Sequence, residues 1–115
     1  MNKKFLIQLY EATQRFENWK REDQYDSFSE AESDFFDFIE KATERGMSHI
    51  GRGGDRDVYS GGSVAGHDKI VKIARESLIQ NEHAVEMWKE IPEESKKYIA
   101  PIEDWGDGYE WIVQA

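Results

Sequence analysis

Apolar residues recur at three- and four-residue spacing over residues 4–20. Phe5, Leu6, Leu9, Tyr10, Thr13, Phe16 and Trp19 share one side, and Gln8, Glu11, Gln14, Arg15 and Asn18 share the other. That period predicts an amphipathic helix. Residues 21–27 are polar and predict a connection. A second helix is predicted to start near Ser27 or Ser29, because each has a glutamate three positions on, Glu30 and Glu32. A helix N-terminus favours this reciprocal capping arrangement. Phe28, Ala31, Phe35, Phe38, Ile39 and Ala42 form its apolar stripe, and Gly46 is placed to end it. Two amphipathic helices with a short link predict a helical hairpin whose stripes are core.

Beyond Gly46 the period shortens. Residues 47–52 and 56–60 read as strands around a glycine-rich turn, and a second loop runs from Gly61-Gly62 to Gly66. Residues 69–74 alternate as a third strand. Helical spacing returns over 76–91 with Leu78, Val85, Trp88 and Ile91, and a short helical turn is expected at 92–97. Residues 99–105 and 109–114 form a last hairpin around Gly106-Asp107-Gly108, with Pro101 confined to an edge or a bulge. The expected fold is α+β: an N-terminal helical hairpin, then a five-stranded antiparallel sheet with one packed helix. A single domain spans 1–115, with 1–46 as a helical extension.

Composition narrows the chemistry. Four Trp, five Tyr and six Phe in 115 residues support a packed core despite 34% charged residues. The net charge of −9 disfavours direct contact with phosphate backbones. It suits plain solubility, and equally a protein that occupies a basic groove. The absence of cysteine removes disulfides, thiol catalysis and Cys-based zinc sites, and fits a soluble cytoplasmic protein. The N-terminus has no apolar run long enough for a signal peptide or a membrane span. His49, His67 and His83 lack metal-ligand spacing, and the carboxylates are too dispersed to select a catalytic pair. No metal and no cofactor is expected.

The stretch Ile50-Gly51-Arg52-Gly53-Gly54-Asp55-Arg56-Asp57-Val58-Tyr59, with Lys72 in Ile70-Val71-Lys72-Ile73-Ala74, carries the densest signal. Gly51, Gly53 and Val58 fall on the pattern G-x-G-x-x-G-x-V, and a strand lysine follows. The order of strand, turn, strand, lysine strand, helix and two strands over residues 48–115 resembles the small lobe of protein kinases. It resembles most the compact kinase-like proteins of phages and mobile elements. The resemblance implies that Gly51, Gly53 and Gly54 turn backbone N–H groups toward phosphates, and that Val58 covers an adenine-like base. Lys72 would pair with phosphate oxygens and be held by a helix carboxylate, Glu82 or one turn later Glu86. Gln114 and Ala115 would begin the segment that joins two lobes. Arg56 departs from the pattern by replacing the third glycine, where it would bind phosphate or fill its space. A plain hairpin and a solvated strand lysine explain the same residues without a ligand.

Neither H-R-D-x-x-x-x-N nor D-F-G occurs in the sequence, and phosphoryl transfer in this family needs both. The expectation is therefore a non-catalytic binding module that acts on another protein, as an inhibitor of a host complex encoded by a virus or mobile element. An acidic anti-defence protein that mimics nucleic acid is one alternative, and a truncated or split kinase is another. Trp105, Tyr109 and Trp111 are the expected interface anchors, since aromatic residues dominate binding hot spots. An apolar face left uncovered would also allow a homodimer.

Overall fold

The computed structural model describes residues 1–21 and 30–115; the expected capped start at Ser27 or Ser29, and Phe28, lie outside them. The elements are α1 (Lys3–Arg21), α2 (Glu30–Glu44), β1 (His49–Arg52), β2 (Arg56–Ser60) and α3 (Gly62–Ala65). They continue with β3 (Ile70–Ala74), α4 (Ile79–Glu90), α5 (Glu93–Lys96), β4 (Ile102–Trp105) and β5 (Trp111–Gln114). The fold is α+β, with two N-terminal helices, a five-stranded antiparallel sheet and a packed helix, as the pattern predicts. Strands lie in the order β1-β2-β3-β5-β4.

Side-chain alternation divides the sheet into two faces. Tyr59, Val71, Ile73, Trp111 and Val113 point one way and bury against Phe5, Leu6 and Leu9 of α1. Phe38, Ile39 and Ala42 of α2 close this layer. The main core therefore draws on both the helical extension and the sheet. On the other face Ile112 packs with Val85 of α4 and Ile102 of β4. Register fixes Val58 opposite Lys72 and Lys72 opposite Ile112, so all three share the α4 face. Among the described residues α4 is the helix packed on that face, whereas α1, α2 and α3 all contribute to the core on the first.

Local chemistry sets the boundaries. The Asn2 side chain accepts from the Phe5 N–H at 3.0 Å and caps α1. Gly46, at φ 79°, ends α2, and the Met47 N–H reaches back to the Ala42 carbonyl. α3 occupies a stretch that reads as loop. Gly62 permits it by close approach: at φ 55°, an added Cβ would meet the Arg45 carbonyl at 2.3 Å. In the last hairpin the left-handed position is taken by Tyr109, at φ 64°, and not by a glycine.

Trp111 corrects one expectation. It is 2% exposed and lies in the main core, because alternation sends it with Val113 toward α1. It cannot anchor a partner. Trp105 and Tyr109 are half-buried against the Val85–Ile112 cluster. Trp111→Ala should lower the unfolding free energy by about 3–5 kcal/mol, as truncated core aromatics do. Phe36→Ala, at a residue 55% exposed, should stay within about 0.5 kcal/mol. Urea denaturation of both variants checks the assignment.

Candidate functional site

The glycine-rich turn between β1 and β2 is held from below. The Gly53 N–H donates to the Arg56 carbonyl at 2.9 Å. The Arg75 guanidinium donates to the carbonyls of Gly53 and Gly54. The Arg75 N–H bonds the Asp55 carbonyl at 2.7 Å. Gln14 of α1 donates to the carbonyls of Ala74 and Arg75 at 3.1 and 2.6 Å. The turn is thus tied to α1 through the end of β3. A Cβ added at Gly51 or Gly54 would meet nothing within 4 Å, and at Gly53 it would meet only an ordinary contact. None of the three takes a left-handed φ. Packing in this fold does not require these glycines; their effect is to leave the backbone bare to an approaching group.

A charged cluster lies beneath the turn. Glu17 and Asp57 are both nearly fully buried. Arg52 bridges them, with Nη2 on Glu17 Oε1 and Nε 3.3 Å from Asp57 Oδ1. Arg75 Nε and His49 Nε2 each lie 3.7 Å from the same Asp57 oxygen, and Lys20 pairs with Glu17 at 3.2 Å. Burial, followed by the Asp57 charge, raises the Tyr59 phenol far above its ordinary range. The helical period of α1 did carry a signal: Glu17 falls in line with Leu6, Leu9 and Thr13 on the buried side.

On the opposite face Arg56, Val58 and Lys72 lie together, all half-buried. The expected lysine–glutamate pair is not formed. Glu82 is exposed, and among the described residues no carboxylate comes within ion-pair distance of Lys72 or Arg56. The reason is helical phase. Asn81 and Val85 are the inward positions of α4, so Glu82 is turned about 100° away. Glu86 accepts from the Tyr109 hydroxyl at 3.2 Å and pairs with Lys89 at 3.6 Å.

Asn81, fully buried, stands where a carboxylate was expected. Its Nδ2 donates to the carbonyls of Tyr109 and Lys72 at 3.0 and 3.4 Å, and its Oδ1 accepts from Arg56 Nη1 at 3.4 Å. Burial lowers the Lys72 ammonium from its ordinary value, and the Arg56 charge lowers it further. Burial lowers Arg56 too, with Asp55 acting in the opposite direction. The site can hold an anion, since two cations meet there beside a neutral amide.

A groove of about 200 Å³ runs along the far flank of α4, lined by Ala84, Met87, Trp88, Ile99, Ile102 and Gln114 among others. Among the described residues no group of three or more His, Asp or Glu could hold a metal ion, and no helix is long and apolar enough to cross a membrane.

In a ¹⁵N-detected pH titration, Lys72 should lose its proton below the pH at which exposed lysines do. Arg56→Gln should move that titration upward. The unfolded chain holds this proton more tightly than the folded one, so stability should rise as pH climbs from the lowered folded pKa toward 10.5. A Lys72 that titrates with the exposed lysines in both proteins would contradict this geometry. Compared with protein-family models, curated proteins and solved structures, the chain matches none.

Proposed function

We propose that this chain is a non-catalytic binding module, laid out like a kinase small lobe, that works by gripping another protein. One observation carries the reading: the two sheet faces are covered unequally. α1 and α2 bury one face, while the α4 side keeps large apolar groups in water. Ile79 is 56% exposed, Met87 65%, Tyr98 80% and Ile99 43%. Ile79 and Met87 lie two turns apart on α4, and Met87 and Ile99 edge the groove. Among the described residues, five of the eight large apolar side chains left exposed, Leu78, Ile79, Met87, Tyr98 and Ile99, belong to α4 and its flanks, the others being Met1, Phe36 and Ile50. Such clustering on a charged, acidic protein supports an interaction site. The groove is smaller than the roughly 300–1,000 Å³ of pockets that enclose a small molecule. It suits one or two side chains inserted by a protein.

The glycine-rich turn and the Val58–Lys72 row border the same side. A partner that covers both flanks of α4 would reach the residues that the kinase resemblance singles out. A cysteine-free chain fits action in the cytoplasm. On the resemblance to phage and mobile-element proteins, the partner would be a component of a host complex, inhibited by occupation of its surface.

The test begins with affinity purification from cells that carry the gene, followed by reconstitution with the purified partner. Ile79→Asp with Met87→Asp should weaken partner binding at least about a hundredfold, the loss of two hot-spot side chains. Phe36→Asp, on the α2 side, should leave it unchanged. No phosphoryl transfer from Mg-ATP should be detected. Partner binding that survives the α4 variant, or phosphoryl transfer abolished by Lys72→Ala, would refute the proposal.

A further inference from the structure

We infer that the bound protein supplies a carboxylate, from an aspartate or glutamate, to the space between Arg56 and Lys72. This rests on the protein-binding reading and names the chemistry of its contact. The chain has 24 acidic side chains against 15 lysines and arginines, so two adjacent cations without an ion-paired carboxylate run against its composition. Elsewhere acids are plentiful: Arg52 meets Glu17 and Asp57, Lys69 meets Glu103 at 2.8 Å, and Lys89 meets Glu86. At the corresponding place on the α4 face the chain offers Asn81, whose oxygen is neutral and whose amide nitrogen donates to two main-chain carbonyls. Glu82, next in sequence, faces solvent. The closest acidic influence on Arg56 is Asp55, whose carboxylate accepts from Gln80 at 3.2 Å.

The same geometry favours a carboxylate over a phosphate chain. A polyphosphate is held by many donors, typically a nest of turn N–H groups with cationic side chains. Here the Gly53 N–H is spent on the Arg56 carbonyl, while Arg75 fixes the turn through the carbonyls of Gly53 and Gly54, so the turn does not present an unbroken run of free N–H groups. Arg56 and Lys72 are the cationic side chains beside Asn81, and the net charge of −9 repels a polyanion at long range. One carboxylate has the charge and the acceptor count that an arginine and a lysine can satisfy together.

The probes are the peptide acetyl-Gly-Glu-Gly-amide, its Gln counterpart and inorganic pyrophosphate, titrated at constant ionic strength. The readout is the side-chain NMR signals of Lys72 and Arg56. The Glu peptide should shift both signals saturably, and the Gln peptide should bind at least about tenfold more weakly, as expected for loss of hydrogen bonds to a charged group. In Asn81→Asp the chain provides its own carboxylate, and the Glu-peptide response should fall at least about tenfold, with the fold verified in the same spectra. No saturable shift with the Glu peptide overturns the inference. Pyrophosphate binding tighter than the Glu peptide overturns it in favour of a phosphate ligand. With the purified partner, binding lost in Met87→Asp but unchanged in Arg56→Gln with Lys72→Gln refutes the carboxylate and leaves the protein-binding reading standing.

Discussion

The docking of α1 onto one face of the sheet is the contact on which the remaining structure depends. Phe5, Leu6 and Leu9 fill the surface made by Val71, Ile73, Trp111 and Val113, and all seven are nearly or fully removed from water. Burial of large apolar side chains is the largest favourable term available to a chain of this length, at about 1.5–3 kcal/mol for each one fully buried. Because the layer joins the first residues to the last strand, the helical extension and the sheet form one core. The same docking carries Gln14 to the end of β3 and Glu17 to Arg52. The glycine-rich turn is therefore positioned from the covered side, and its outer surface is left free of side chains.

Charge follows the same division. On the covered side, Glu17 and Asp57 are buried among Arg52, Arg75 and Lys20, so the cost of removing them from water is offset by several partners. On the α4 side, among the described residues, neither Arg56 nor Lys72 has an ion-paired carboxylate, and the Asn81 amide meets the Arg56 guanidinium and the Lys72 main-chain carbonyl. Burial disfavours the ionised form and lowers both groups, outweighing Asp55 at Arg56 and reinforced by the Arg56 charge at Lys72. Exposed apolar side chains of α4 lie on this side as well. One face carries most of the buried core, and on the other the exposed apolar side chains of α4 lie beside an arginine and a lysine without an ion-paired carboxylate among the described residues. The proposed function takes those two features as complementary to a partner.

Much of the fold was legible because period and punctuation agree. The apolar spacing of residues 4–20, the glycine at 46 and the alternation of residues 69–74 each point to the element that forms. The candidate site was legible in part: Val58 and Lys72 share a face because alternation requires it. What escaped depends on distant contacts. Nothing local marks Gly62 as the residue that lets Arg45 approach, or Asn81 as the fully buried member of its helix. A helical row drawn from Leu78 to Val85 includes Glu82, but Leu78 precedes α4, and the inward row begins at Asn81. Trp111 looked like an interface anchor because aromatics suit interfaces and cores equally. Only its register opposite Ile73 decides between them.

The unequal cover of the two sheet faces is the central claim, and a soluble paramagnetic relaxation agent measures it directly. In methyl-labelled protein, the account predicts strong relaxation at the Ile79 and Met87 methyls and intermediate relaxation at Val58 and Ile70. Relaxation at Val71, Ile73 and Val113 should be close to none. Comparable protection of Val58, Ile79 and Met87 with Val71 would mean that the α4 side is closed within the chain itself, and would contradict the account.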